Sequence, residues 1–444
     1  MRRLLFTSVV LMSARVISAD AQGTPDSVVR RQQRTIDSIS AALRAVQARV
    51  DSLSTVPPTE PAAAAPAPAA RAAGAYMNIG FDGLVDAGWS SVNNPDLVLF
   101  QGGDHDPHVR GFTVPNAELT LDGAVDPYFK GFANIVYKLD RFAETNIELE
   151  EVYAITTSLP YNLQAKIGQF LAEFGRQNQQ HPHAWAFIDQ PLVMTQMFGP
   201  DGLRSQGVRL SWLLPTPWYT EAMVAVLNSA GGTAFSFRAD DSPNIHGGVI
   251  VPREVAGLGD MLYVPRITTS ADLTDNTTLV AGVSGAFGPN NSGSTSRTQI
   301  YGADLYWKWK SPRAAAGFPF VSLQTEGMYR NYGAALRARL DDPQRLFLEE
   351  TLHSGGVYAQ VLWGIRPRIV AGLRYDWINA DTLSFEPVLR PERSRISPNF
   401  TWYPTEFSKL RFQYNFDRRQ DVGNDSSFWV QFEFILGAHA AHKF

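Results

Sequence analysis

Six of the eight histidines fall in three close pairs: His105 and His108, His181 and His183, and His439 and His442. Asp104 and Asp106 flank the first pair. Imidazole nitrogens mixed with carboxylate oxygens form a donor set for Zn2+, Cu2+ or Ni2+. Asp104, His105, Asp106, His108, His181 and His183 are therefore the candidate divalent-metal ligands, and no other cofactor is expected. The plainer reading of such pairs is solvation or local hydrogen bonding. A second group of charges is concentrated in residues 172–205. There Glu173, Asp189 and Asp201 stand beside Arg176 and Arg204, around His181 and His183. A third group, Arg209, Lys308, Lys310, Arg368, Arg374, Lys409 and Arg411, is spread through segments of alternating polarity. Nucleophilic or hydrolytic arrangements are missing from the sequence: there is no G-x-S-x-G, no H-E-x-x-H and no phosphate-cradling glycine loop. His353-Ser354 is the nearest approach to a serine–histidine pair, and the chain is not expected to be an enzyme.

The elements that must hold these side chains are strands. In the segment from Phe428, alternate residues Phe428, Val430, Phe432, Phe434 and Leu436 oppose Trp429, Gln431, Glu433 and Ile435. Period-two alternation puts the two sets on opposite faces of a strand. Leu410, Phe412, Tyr414 and Phe416 oppose Lys409, Arg411, Gln413, Asn415 and Asp417 in the same way. Val208, Leu210 and Trp212 likewise oppose Arg209 and Ser211. An apolar face backed by a charged one suits a strand between lipid and a wet lumen. The pattern predicts sixteen strands, over 76–89, 112–125, 130–139, 146–158, 163–171, 206–214, 219–229, 261–270, 277–287, 298–310, 319–331, 353–363, 368–378, 396–404, 409–417 and 427–437. Many of these run about ten residues, the length a tilted strand needs to cross a bilayer. Short turns alternate with long connections at 90–111, 172–205, 230–260, 332–352 and 379–395, as an up-and-down barrel requires. The predicted fold is an all-β transmembrane barrel of about sixteen antiparallel strands over 76–444. Its closing strand, 427–437, pairs with 76–89.

Composition agrees. The chain has 444 residues, a net charge of −4, 18% charged residues and no cysteine. That composition contains no disulfide framework and no thiolate metal site. It also lacks the basic stripe with interleaved aromatics that a nucleic-acid partner demands. Residues 1–21 read as a secretory signal peptide, with a basic start, an apolar run and Ala19-Asp20-Ala21 as the cleavage site. Residues 22–56 carry a seam at Val29, Gln32, Ile36, Ile39, Leu43, Val46, Val50 and Leu53, spaced three and four apart, which predicts a short oligomerising coiled coil. Residues 57–75 are a Pro/Ala linker.

The barrel segment resembles the phosphate-selective porin O and P family of outer-membrane channels. The resemblance rests on Met77-Asn78-Ile79-Gly80-Phe81-Asp82-Gly83, Lys166-Ile167-Gly168-Gln169-Phe170 and Gln206-Gly207-Val208-Arg209-Leu210. Where the family has a lysine followed by Pro-Phe-Gly, this chain has Leu171-Ala172-Glu173-Phe174-Gly175. A base is replaced and an acid introduced. The resemblance implies a homotrimer in the outer membrane of a Gram-negative-type bacterium, with the coil in the periplasm and Phe444 available to the barrel-assembly machinery. By the same resemblance the 172–205 loop folds into the pore, making Glu173, Arg176, His181, His183, Asp189, Asp201 and Arg204 constriction residues. Small hydrophilic or ionic solutes, anions such as phosphate among them, are the expected cargo. A metal-responsive channel and a structural envelope-anchoring barrel are the alternative readings.

Overall fold

The computed structural model describes residues 77–230, 232–238, 245–340, 342–380, 392–402 and on to 437. The expected signal peptide, coil and linker, and the pair His439 and His442, lie outside the described residues.

Sixteen strands close into one antiparallel barrel: β1 (Met77–Ser90), β2 (Gly111–Ala124), β3 (Phe129–Leu139), β4 (Thr145–Thr156), β5 (Leu163–Leu171), β6 (Arg204–Leu213), β7 (Tyr219–Leu227), β8 (Leu262–Thr274), β9 (Thr277–Pro289), β10 (Arg297–Ala315), β11 (Phe318–Ala334), β14 (Glu350–Arg366), β15 (Ile369–Ala380), β16 (Arg393–Thr405), β17 (Ser408–Arg419) and β18 (Gly423–Gly437). The two-residue strands β12 (Arg337–Ala338) and β13 (Leu346–Phe347) pair with each other in the connection between β11 and β14. Each barrel strand pairs with its neighbours in sequence, and β18 returns to β1 with Phe81 opposite Leu436 and Trp89 opposite Phe428. Closure leaves no free edge, so every strand has a partner on both sides. Among the described residues no helix is long and apolar enough to cross a membrane.

All sixteen predicted strands are present. The largest departure is β10, which continues past Lys310 through Ser311-Pro312-Arg313 to Ala315. Its register slips there, between Lys310 and Ala315. Pro312 cannot donate a ladder hydrogen bond, and this stretch is exposed, so it lacks the alternation that marks a wall strand.

The two faces separate as the alternation requires. Phe428, Phe432 and Leu436 are exposed on the outside of β18, while Trp429, Gln431, Glu433 and Ile435 are buried inside. The connections split into two ends. One end has tight turns such as Asn276 after β8, Ala316-Gly317 and Pro367-Arg368. The other carries the long connections 91–110, 172–203 and 228–261.

The inside is not uniformly polar. The helix Leu192–Phe198, in the 172–203 loop, packs Val193, Met194, Met197 and Phe198 against Leu227, Leu262, Val264, Ile300 and Met328 of the wall. Phe170, Phe174 and Phe237 complete this cluster. Burying an aliphatic or aromatic side chain of this size contributes roughly 1.5–3 kcal/mol. Several together are enough to hold a thirty-residue loop inside the barrel against its tendency to sample water.

Candidate functional site

The 172–203 loop leaves the loop end of β5, enters the lumen and makes contact around most of the inner wall. Near its start, the Gly175 N–H donates to Ser284 Oγ on β9 at 3.1 Å. The Arg176 and Gln177 N–H groups donate to Glu326 on β11 at 3.0 and 2.7 Å. Farther on, the Ile188 N–H donates to Gln413 on β17, and the Leu192 N–H to Asp376 on β15. Asn399 on β16 donates to the Ala186 carbonyl, and Arg411 on β17 to that of Trp185. Side chains from the wall thus satisfy the backbone of an irregular segment, which a buried loop requires.

Along the way the loop meets two walls of opposite charge. On β15 to β17 the inward face carries Arg374, Arg393, Arg395, Lys409, Arg411 and Arg419, all buried. Asp189 of the loop enters this group. It pairs with Arg374, sits 2.9 Å from Arg395 and accepts from Asn415 at 2.6 Å. Asp376 holds Arg374 at 2.7 Å, and Asp417 bridges Arg393 at 2.8 Å and Arg395 at 2.5 Å. The 91–110 connection adds backbone acceptors: Arg393 and Arg395 donate to the Phe100 carbonyl and Arg419 to that of Leu99. Burial disfavours the charged form of Asp189, but Arg395 and Arg374 more than offset this and hold its carboxyl below the usual range.

On β1 to β4 the inward face is acidic, with Asp82, Glu118, Glu150 and Glu151 buried. The loop supplies its two histidines here. His181 Nδ1 lies 2.8 Å from Glu150 and 3.6 Å from Glu118, and its Nε2 lies 2.9 Å from Glu151. His183 Nδ1 is 3.0 Å from Glu118, and the two imidazoles stack at 5.8 Å. Burial pushes both imidazoles toward the neutral form. The carboxylates outweigh it, raising His183 and holding His181 well above the ordinary value. Lys409 reaches over from β17 to pair with Glu433 and donates to the His183 carbonyl at 2.5 Å.

The remaining predicted residues fall as follows. Glu173 accepts from Lys166 at 2.6 Å and lies 3.3 Å from Arg209. The Arg176 guanidinium stacks 4.1 Å over Tyr306. Arg204 pairs with Glu148. Asp201 stands 3.9 Å from Lys138 and 4.0 Å from His105. Lys308 is half-buried, 4.7 Å over the Phe320 ring. Two expected lumen positions are corrected. Arg368 sits in the exposed turn between β14 and β15, with a left-handed φ of 73°, and Lys310 is exposed where β10 leaves the regular register. Both carry the right parity and lie at the turn end, Arg368 in the turn itself and Lys310 at the last regular pair of β10, opposite Phe320.

The six candidate metal ligands also separate. Asp106 accepts the backbone N–H of Gly103 at 2.8 Å and of Gln190 at 2.9 Å, and so braces the loop. His105 Nδ1 contacts the Pro115 carbonyl at 3.1 Å. Burial pushes His108 down, against the pull of Asp106. Asp104 and His105 gather with Asp201, while His181 and His183 join a carboxylate cluster whose members on β1, β2 and β4 were absent from the candidate set.

Arg393, Arg395 and Arg419 were also missed. Arg393, Arg395, Ser397, Asn399 and Thr401 alternate with outward Ile396, Phe400 and Trp402, so extending the strand back by three residues would have found the first two. Asp82 could have been found from its even spacing with Leu84 and Asp86 on one face of β1.

No family model matches the sequence. Among solved structures, the outer-membrane channel DcaP of Acinetobacter baumannii superposes with a TM-score of 0.54 at 15% identity, covering 82% of this chain and 98% of that one. This likeness shows a shared porin-like barrel fold. The anion-selective porin of Comamonas acidovorans superposes with a TM-score of 0.49 at 8% identity, over 82% of this chain and 100% of that one. In sequence, an uncharacterized protein of Aquifex aeolicus (strain VF5) is 33% identical over 365 residues, 76% of this chain and 70% of that protein. With that identity over three quarters of its length, the chain belongs to the same family as the Aquifex aeolicus protein.

Proposed function

We propose that this protein is an outer-membrane porin through which small hydrophilic or ionic solutes diffuse passively. The observation that supports this most is the sixteen-strand closure with a charged inward face and an apolar outward one. A barrel of sixteen strands is wide enough for an aqueous channel, whereas about eight strands leave only room for side chains. In this reading the long connections face outside and the tight turns face the periplasm. The 172–203 loop narrows the passage and sets its charge. Because Asp189, Asp376 and Asp417 pair with Arg374, Arg393 and Arg395, the reading favours weak ionic discrimination over a dedicated phosphate path. A homotrimer delivered by the barrel-assembly machinery belongs to the same proposal. Cross-linking of the chain with and without residues 26–55 tests the trimer and the part of the expected coil in it.

Planar-bilayer recording tests the channel itself. Purified folded protein is expected to give stepwise conductance in KCl, and reversal potentials in phosphate and chloride gradients are expected to differ little. Folded barrel that carries no ion current would refute the porin reading and leave a structural envelope barrel.

A further inference from the structure

We infer that Glu118, Glu150 and His181, with Asn134, form a divalent-cation site of the zinc type on the inner wall, joining β2, β3 and β4 to the 172–203 loop. Glu118, Glu150 and His181 each offer one ligand atom, and these three atoms all lie within 4.8 Å of one another. Two ligands each about 2.1 Å from one ion stand roughly 3 to 3.4 Å apart. The observed separations from His181 Nδ1, 2.8 Å to Glu150 and 3.6 Å to Glu118, bracket that range.

Asn134 strengthens the assignment. Its side-chain nitrogen lies 3.2 Å from Glu118 Oε2, 2.9 Å from Glu150 Oε2 and 2.8 Å from His181 Nδ1. An amide has two protons for these three atoms, so as placed at least one proton must be shared between two acceptors. Oxygen and nitrogen of such an amide are distinguished only by their hydrogen bonds. Turned over, Asn134 Oδ1 would lie at ligand-to-ligand distance from the same three atoms and become a fourth donor.

Charge argues the same way. Asp82 on β1 is in register with Glu118 on β2, and both are fully buried on the inward face. Like charges directly opposite on neighbouring strands destabilise a sheet. Neither carboxylate oxygen of Asp82 has a hydrogen-bond partner among the described residues. Glu118, Glu150 and Glu151 form ion pairs only with the two histidines among the described residues. Four carboxylates thus face two imidazoles, and the excess is negative even with both imidazoles charged. The other cluster of this kind, Asp104, His105 and Asp201, differs in one respect. The Lys138 ammonium pairs with Asp104 and Asp201 and with Glu148 at 3.2 Å, so a cation is already built into it.

The test is zinc titration of the full-length folded barrel after chelator treatment and dialysis, followed by calorimetry and by metal analysis of the protein. The wild type is expected to bind one equivalent that is weakened at least about tenfold by Glu150→Gln and by His181→Gln. The double variant Asp104→Asn, His105→Gln is expected to retain it. Asn134→Asp is expected to tighten it, because a carboxylate replaces a neutral donor. Should a ligand variant fail to fold, Co2+ added to the wild type and to Asn134→Asp reports the donor set through its visible band, which should differ between the two. Absence of saturable zinc binding, binding indifferent to both ligand variants, binding abolished by the Asp104 and His105 double variant, or identical Co2+ bands in wild type and Asn134→Asp would overturn the assignment. None of these outcomes depends on ion conduction.

Discussion

The basic wall of β15 to β17 and the acidic wall of β1 to β4 are anchored to one loop by opposite means. Against the arginines the loop places a single carboxylate, Asp189, into a lattice where Asp376 and Asp417 already pair with Arg374, Arg393 and Arg395. Against the glutamates it places two imidazoles, and the wall keeps a negative excess. The basic wall keeps a positive excess that the loop's one anion reduces, and the acidic wall keeps a negative excess that is open to a further cation. The loop's contribution is therefore opposite in sign at the two walls: removing its anion uncovers buried guanidiniums, whereas removing its imidazoles adds to the negative excess.

Substitution Asp189→Ala should have the largest effect. It leaves Arg374 and Arg395 buried without that partner, and breaking a buried pair from one side is destabilising by about 3–5 kcal/mol. The loop should become sensitive to protease in the folded barrel, and reversal potentials should move toward anions. Retained protease resistance and unchanged selectivity would show that Asp376 and Asp417 suffice for the basic wall.

Next comes the pair His181→Ala, His183→Ala in chelator-treated protein. Glu118, Glu150 and Glu151 keep hydrogen bonds from Asn116, Asn134 and the Leu171 N–H, so the pair of substitutions is destabilising by about 1–3 kcal/mol in all. Reversal potentials should move toward cations, opposite to Asp189→Ala. Shifts of the same sign in both variants would break the two-wall description.

A smaller effect is expected from acid. The Asp189 carboxyl is held below its ordinary value in the folded protein, so the ionised form favours the anchored loop. Its contribution is complete above the unfolded value of about 3.9 and is lost as pH falls through the depressed folded value. Hydrogen exchange of residues 185–192, corrected for its intrinsic pH dependence, should accelerate on acidification in the wild type. In Asp189→Asn the same segment should be fast throughout.

Least of all should change with Arg368→Gln. The side chain lies in an exposed turn outside both walls. Stability should stay within about 0.5 kcal/mol, and single-channel conductance and selectivity should match the wild type. A selectivity shift there would extend the basic wall to the turn end.

The contrast between Arg368 and Arg374 shows how far the sequence could be read. Both have the inward parity, and only one is on the wall. Parity is a local property of the pleat, but the position where a strand leaves the wall depends on its neighbours. The same limit applies to His105 and His181, which resemble each other in sequence. One ends beside a lysine-neutralised cluster, the other among unneutralised glutamates.

The sequence by itself determined the sixteen strands, the inward and outward sets and the closure of β18 on β1. These follow from side-chain alternation every two residues and from barrel closure, which satisfies the backbone without distant information. Only the tertiary structure decided the path of the 172–203 loop and the partners it finds. Asp189 meets Arg374 and Arg395 across a separation of about two hundred residues. His181 meets Glu118, Glu150 and Glu151 because curvature brings the inward faces of β2 and β4 to one point. Such meetings depend on the shape of the closed wall and the apolar packing of Leu192–Phe198 beneath it, and no local periodicity encodes either.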